Sequence, residues 1–187
     1  MRRLFTGMVI AALATLATPA LARSQKGDWE LGAHLGRTNF IDNNDLKDDT
    51  LWGVNAGYCL TDVFELALNY DTISPRSSSG SIEQDLMFVT LDSIWNLGYD
   101  AHKPFALLGV GLIDENTRLS VPPGPTIKTD RSVGVVDLGV GYRGYLTHLF
   151  AVRLEGRLSF TDDDRTGFGF GNRDLRLSLG VAFNLHR

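Results

Sequence analysis

From residue 29 onward, apolar and polar side chains alternate with period two, and they do so in eight separate stretches. The stretches are WELGAHLGRTN (29–39), LWGVNAGYCL (51–60), VFELALNYDT (63–72), LMFVTLDSIWNL (86–97), PFALLGVGLI (104–113), VGVVDLGVGYRGYL (133–146), LFAVRLEGRLSF (149–160) and DLRLSLGVAFNL (174–185). Period two is the signature of a strand whose two faces meet different surroundings. Each stretch has roughly the 9–11 residues that a tilted strand needs to cross a bilayer, or slightly more. No apolar stretch is long enough for a spanning helix, and none shows convincing helical periodicity.

The connections alternate in length. Those after the first, third, fifth and seventh stretches are long and rich in Asp, Asn, Ser, Gly and Pro, among them DENTRLSVPPGPTIKTDR (114–131). Those after the second, fourth and sixth are short: Thr61-Asp62, Gly98 to Lys103, and Thr147-His148. Long loops on one side and tight turns on the other are the pattern of bacterial transmembrane barrels, and an even strand count leaves both termini on the short-turn side. The predicted fold is an all-β, eight-stranded, antiparallel up-and-down transmembrane barrel.

Residue types decide which face is inside. One face carries Trp29, Leu31, Trp52, Val54, Leu68, Leu91, Val110, Val140, Leu154 and Leu179, with no charge interrupting it. The other carries Glu30, Glu65, Asp71, Asp92, Asp137, Arg143, Arg153, Glu155, Arg157 and Arg176, with many glycines between them. The four Lys downstream of residue 22 (Lys26, Lys47, Lys103, Lys128) fall outside the eight stretches. Arg without Lys suits confined pairing, because the guanidinium fork bonds carboxylates bidentately. Glycine relieves crowding in an eight-stranded barrel, whose interior only just admits side chains. The polar face is therefore read as a lumen network of Glu30, Glu65, Asp92, Asp137, Arg143, Arg153, Glu155, Arg157 and Arg176. Arg153, Glu155 and Arg157 point the same way, with Arg176 expected across from them. The apolar face is read as lipid-facing, with interface aromatics Trp29, Tyr58, Phe64, Trp95 and Phe183 at the short-turn ends and Trp52, Tyr70 and Phe160 at the long-loop ends.

The first 22 residues read as an export signal. Arg2 and Arg3 precede an apolar run from Leu4 to Leu16, and Ala20-Leu21-Ala22 gives a small-x-small cleavage site. The expected organisation is a cleaved signal peptide over 1–22 and one barrel domain over 23–187. No Cys sits at the cleavage site, which argues against a lipid-anchored form. The single cysteine, Cys59, excludes an internal disulfide and reads as a small residue filling space inside the barrel. With 18 Lys and Arg against 22 Asp and Glu, two of the former in the leader, the chain is acidic and is not expected to bind nucleic acid.

Two further readings have motifs of their own. Gly27-Asp28-Trp29 matches the G-x-W opening of lipocalins, soluble barrels that bind small ligands in an apolar cavity. Lipid A-modifying barrels use a His with a nearby Ser. The histidines outside the leader (His34, His102, His148, His186) do not fall in a His-x-Ser-Asn arrangement. There is no phosphate-binding glycine loop and no His/Cys set at metal spacing, so no catalytic residue, metal or cofactor is expected. Asp162-Asp163-Asp164 has the charge to hold a divalent cation but reads more simply as a hydrated loop.

The stretch Val89 to Glu115 resembles the N-terminal barrel of the OmpA family, through Trp95-Asn96, then Lys103-Pro104-Phe105 and Gly109-Val110-Gly111. Residues 137–160 are similar to the sixth and seventh strands of that family, and the resemblance spans essentially the whole chain after the leader. Ser178-x-Gly180-x-x-Phe183-x-Leu185 resembles the last-strand signal that the outer-membrane insertion machinery recognises, with His186-Arg187 trailing where an aromatic terminus is usual. The peptidoglycan-binding domain of OmpA proteins proper has no counterpart in the sequence. The resemblance implies a non-enzymatic outer-membrane protein, structural or a small gated pore. Its partners would be outer-membrane lipids, lipopolysaccharide and the insertion machinery, with surface loops whose ligand the sequence does not name.

Overall fold

A computed structural model describes residues 25–41, 49–75, 82–98, 101–119, 127–162 and 170–185. The strands are β1 (Trp29–Phe40), β2 (Asp49–Cys59), β3 (Phe64–Ile73), β4 (Ile82–Asn96), β5 (His102–Leu119), β6 (Ile127–Tyr145), β7 (Phe150–Asp162) and β8 (Phe170–Leu185). Each pairs antiparallel with its neighbours, and the sheet closes into a barrel. Closure runs along β1 and β8 from Trp29↔Leu185 to Phe40↔Asp174. With no free edge, the inter-strand ladders can satisfy the backbone inside a bilayer.

Two short turns are built alike. Thr61 Oγ1 accepts from the Phe64 amide at 2.9 Å, and Thr147 Oγ1 accepts from the Phe150 amide at 3.1 Å. A hydroxyl that bonds its own turn sets a tight reversal without glycine. The segment that leads into β1 is clamped to the same end. Gly27 has a φ of 93°, and its amide donates to the Cys59 carbonyl at 2.8 Å. Lys26 donates its amide to Asp62 Oδ1 at 2.9 Å. Gly27-Asp28-Trp29, set beside the lipocalin opening above, thus has a local reason of its own. Glycine takes the left-handed conformation that turns the chain into β1.

The strands outrun the alternation at the loop end. β5 and β6 stay paired as far as Leu119↔Ile127, so much of the predicted 114–131 loop is a hairpin standing clear of the apolar band. Its sequence is polar on both faces. Such a ladder holds by backbone pairing and polar contacts such as that of Ser132 with Asp114, which leaves no hydrophobic period to read. Lys103 is a second correction. It lies within β5 and is 1% exposed, so lysine does enter the lumen, beside the Tyr145 ring at 5.7 Å. The aliphatic stem packs in the barrel while the ammonium sits near the turn end. Lys128 also falls within a strand, at the outer start of β6. Lys26 precedes β1, and Lys47 lies outside the described residues.

The outward face is a continuous apolar band. Trp52 is 51% exposed, Leu154 56% and Val140 67%. Such a band in water would be a liability, and in a bilayer it is the solvent-facing surface.

Candidate functional site in the barrel lumen

The inward positions of eight strands converge on a narrow interior, and all nine lumen residues named from the sequence lie there, each 7% exposed or less. They form two linked groups. At the turn end, Arg143 on β6 donates to Glu65 Oε2 at 2.9 Å and lies 3.1 Å from Glu30 Oε1. Arg153 on β7 joins this group to the next, with Glu30 at 3.7 Å on one side and Glu155 Oε2 at 2.5 Å on the other. Glu155 is held from both sides, since Arg157 Nε also meets its Oε1. Arg157 continues to Asp92 at 2.6 Å and Asp137 at 3.3 Å. Arg176 on β8 binds Asp71 at 2.7 Å and Asp137 at 2.5 Å.

Arg176 does lie beside the β7 row, but the register sets it opposite Arg157. Two guanidiniums side by side repel unless an anion sits between them. Asp137 is that anion, since one of its oxygens meets both. Glu155 is not among the ion-pair partners of Arg176.

Three further members of this layer lie outside the network named from the sequence, although the sequence places His34 and Ser159 on the inner face. His34 Nε2 lies 2.6 Å from Asp71 Oδ1, Asn69 donates to Asp92 at 2.7 Å, and Arg176 Nε donates to Ser159 Oγ at 3.0 Å. Their strand parity places all three inward, so the pattern contained them. Their partners sit on other strands, which no local pattern specifies. Glycines make the room. A Cβ on Gly53 would run into Asp71 and His34, one on Gly57 into Glu65, and one on Gly109 into Asp92.

Apolar groups bracket the ions, and these the residue-type argument missed. The Phe88 ring lies 4.5 Å from the Arg176 guanidinium, and the Phe105 ring lies 4.8 Å from that of Arg153 and 5.6 Å from that of Arg143. Cations over ring faces gain from the aromatic quadrupole, and more so when desolvated. Cys59 is buried at the turn end, 1% exposed.

The interface aromatics pair across strands. At the turn end Trp29 meets Tyr58 at 5.0 Å, Phe64 meets Trp95 at 5.7 Å and Phe150 meets Phe183 at 5.1 Å. His102 stacks on Tyr142 at 5.9 Å. These four contacts join β1–β2, β3–β4, β7–β8 and β5–β6, four of the neighbouring pairs that no short turn connects at this rim. Trp52 and Tyr70 pair at the loop end at 6.3 Å, and Phe160 faces outward on β7, half-buried. Of the insertion-signal residues, Ser178 and Gly180 point inward while Phe183 and Leu185 point to lipid. Gly180 has a packing role as well, because a Cβ there would lie 2.7 Å from the Ala33 carbonyl and from His34 Cβ.

Among the described residues, no group of three or more His, Cys, Asp or Glu is arranged to hold a metal. What the lumen can do chemically is neutralise and fill. Glu155 meets cations of its own strand and the other carboxylates meet cations from other strands, while aromatic rings cover Arg143, Arg153 and Arg176.

Comparison with known proteins agrees with this architecture. The family model described as an outer membrane protein beta-barrel domain matches residues 8–187. Outer membrane protein A of Shigella flexneri is 29% identical over 191 residues, covering 95% of this chain and 55% of that protein. The chain thus spans about half the length of the curated relative it matches. The N-terminal barrel of Pseudomonas aeruginosa OprF superposes with a TM-score of 0.58 at 20% identity, covering 87% of this chain and 100% of that one. Neisserial surface protein A does so with a TM-score of 0.65 at 15% identity, covering 84% and 99%. The Ail protein of Yersinia pestis, in its complex with the heparin analogue sucrose octasulfate, gives 0.56 at 14% identity over 86% and 100%. The chain belongs to the outer membrane protein β-barrel domain family, and its location is the outer membrane.

Proposed function

We propose that this chain serves the outer membrane as a non-enzymatic integral barrel, structural in role, with a lumen that is closed at rest or opens only as a small gated pore. The observation that carries this reading is the buried relay of ion pairs from Glu30 and Glu65 through Arg143, Arg153, Glu155 and Arg157 to Asp137, Arg176 and Asp71. A wide aqueous channel would leave these groups solvated, whereas each of them is nearly or fully buried. The one inward histidine among the described residues, His34, supports the same reading, since its carboxylate partner Asp71 is already engaged by Arg176.

The remaining assignments follow from this role. Export would use the leader over 1–22, which lies outside the described residues. Residues 23–187 would form the barrel domain. Ser178, Gly180, Phe183 and Leu185 would present the last strand to the insertion machinery. Outer-membrane lipid and lipopolysaccharide would surround the apolar band, and the long connections would face outward for recognition. Asp163 and Asp164, in the last of these connections, lie outside the described residues.

Purified protein reconstituted in planar bilayers should show only rare, small openings, and lipid A incubated with it should keep its mass. Sustained large conductance would overturn the closed lumen. A protein-dependent loss of an acyl chain from lipid A would overturn the non-enzymatic assignment.

A further inference from the structure

The relay of ion pairs from Glu30 to Asp71 and Asp137 lies on the turn side of the row formed by Leu51, Ile73 and Leu86. Beyond them the inward side chains turn apolar and pack as one buried cluster. Leu51, Ile73 and Leu86 face one another in a row across β2, β3 and β4. Phe88, Ile113 and Val133 form a second row across β4, β5 and β6. Phe40 on β1 and Val135 on β6 extend the packing towards β8 and β7, where buried Asp174 and Thr161 stand opposite them. Phe88 belongs to this layer, and its ring covers the Arg176 guanidinium. An apolar disc fed by β1 to β6 therefore rests directly on the ion-pair layer.

We infer that this disc, rather than the ion-pair network beneath it, is the barrier that shuts the lumen towards the loop side. The inference rests on the closed-lumen reading above and names the layer responsible. Charged and polar groups offer hydrogen bonds to water and to passing ions. Below the disc, Asp92 Oδ1 and Asp137 Oδ1 are buried without a hydrogen-bond partner in the protein, which is the kind of site that internal water satisfies. The apolar side chains of the disc offer no such footing, the polar groups at its level being Asp174 and Thr161 on the β7–β8 side, and a narrow apolar constriction gates by excluding water. Loosening ion pairs alone then leaves the passage shut. Opening requires parting the disc, of which Ile113, Val133 and Val135 stand at the base of the long β5–β6 hairpin.

The test is conductance of the refolded full chain in planar bilayers, with the gel-mobility shift on heating as the check that each variant has folded. Ile73→Asn and Ile113→Asn put a polar group into the disc, and Ile73→Thr and Ile113→Thr do so with less change of shape should the Asn variants fail to fold. Glu155→Ala breaks two ion pairs and leaves the disc intact. The disc variants should raise conductance severalfold over wild type, while Glu155→Ala stays at the wild-type level. Folded disc variants that remain shut while Glu155→Ala opens would overturn the inference, as would equal opening by both classes. A wild-type chain that conducts freely would instead remove the closed-lumen reading itself, and this inference with it.

Discussion

At the scale of single residues, the glycines show how closely the lumen is fitted. Gly109 faces Asp92 on one side and Asp137 on the other. A methyl group there would collide with the Asp92 carboxylate and lie 3.2 Å from Asp137 Cβ. Both aspartates are fixed by Arg157, so neither can yield without loosening the network. Gly134, near the base of the outer hairpin, has nothing within 4 Å of the same built atom. Overpacking a fitted interior costs about 1–3 kcal/mol, whereas a surface change away from packed features stays within about 0.5 kcal/mol. Gly109→Ala should therefore lower the unfolding free energy in lipid vesicles by about 1–3 kcal/mol, and Gly134→Ala should leave it nearly unchanged. Denaturant titration of the two variants beside wild type checks this, and equal effects would mean that the glycine row is not set by the carboxylates.

At the scale of strands, each element is defined by what its two faces meet. β7 is the plainest case. Val152, Leu154 and Leu158 face out, while Arg153, Glu155, Arg157 and Ser159 face in. A cation on the outward face is exposed to hydrocarbon, and its cost depends on depth. Leu154→Arg, near the middle of the band, should destabilise the folded barrel by about 2–4 kcal/mol. Leu97→Arg, just past the turn end of β4 and 68% exposed, should cost about 0–1 kcal/mol. Refolding yield into vesicles and denaturant midpoints distinguish the two, and similar costs would place the membrane boundary elsewhere. Inward positions are not open to such changes either, since Ser159 is fully buried against Arg176. The turn-end aromatic pairs act on the same scale. Each is worth about 0.5–1.5 kcal/mol beyond the area it buries, and they join strand neighbours that lack a short turn there.

For the whole molecule, closure is the property that matters. A sheet that ends where it began has no unpaired edge, so detergent gains little by invading it. Unheated protein should resist detergent and migrate differently on a gel from boiled protein. Identical migration, together with solubility in plain buffer, would contradict a membrane barrel. Closure also makes the lumen a shared space, in which side chains remote in sequence must fit together. Asp71 and Arg176, 105 residues apart, meet at 2.7 Å for this reason.

Period-two alternation and residue type were enough to determine strand number, strand direction, which face meets lipid and which side chains point inward. They were enough because each is a local consequence of strand geometry in a bilayer. Only the tertiary structure decided the rest. The pairing of Glu155 with Arg153 and Arg157, and of Arg176 with Asp71 and Asp137, depends on register and stagger around the closed sheet. The burial of Lys103 depends on how far β5 reaches towards the turn end. The outer hairpin to Leu119↔Ile127 has no hydrophobic period to announce it. The apolar disc escaped the residue-type argument because Leu51, Ile73, Phe88 and Ile113 lie on rows that each cross three strands, not within one stretch. Along each strand such residues are one or a few apolar side chains on an otherwise polar face, and they become a layer only when neighbouring strands bring the others to the same height.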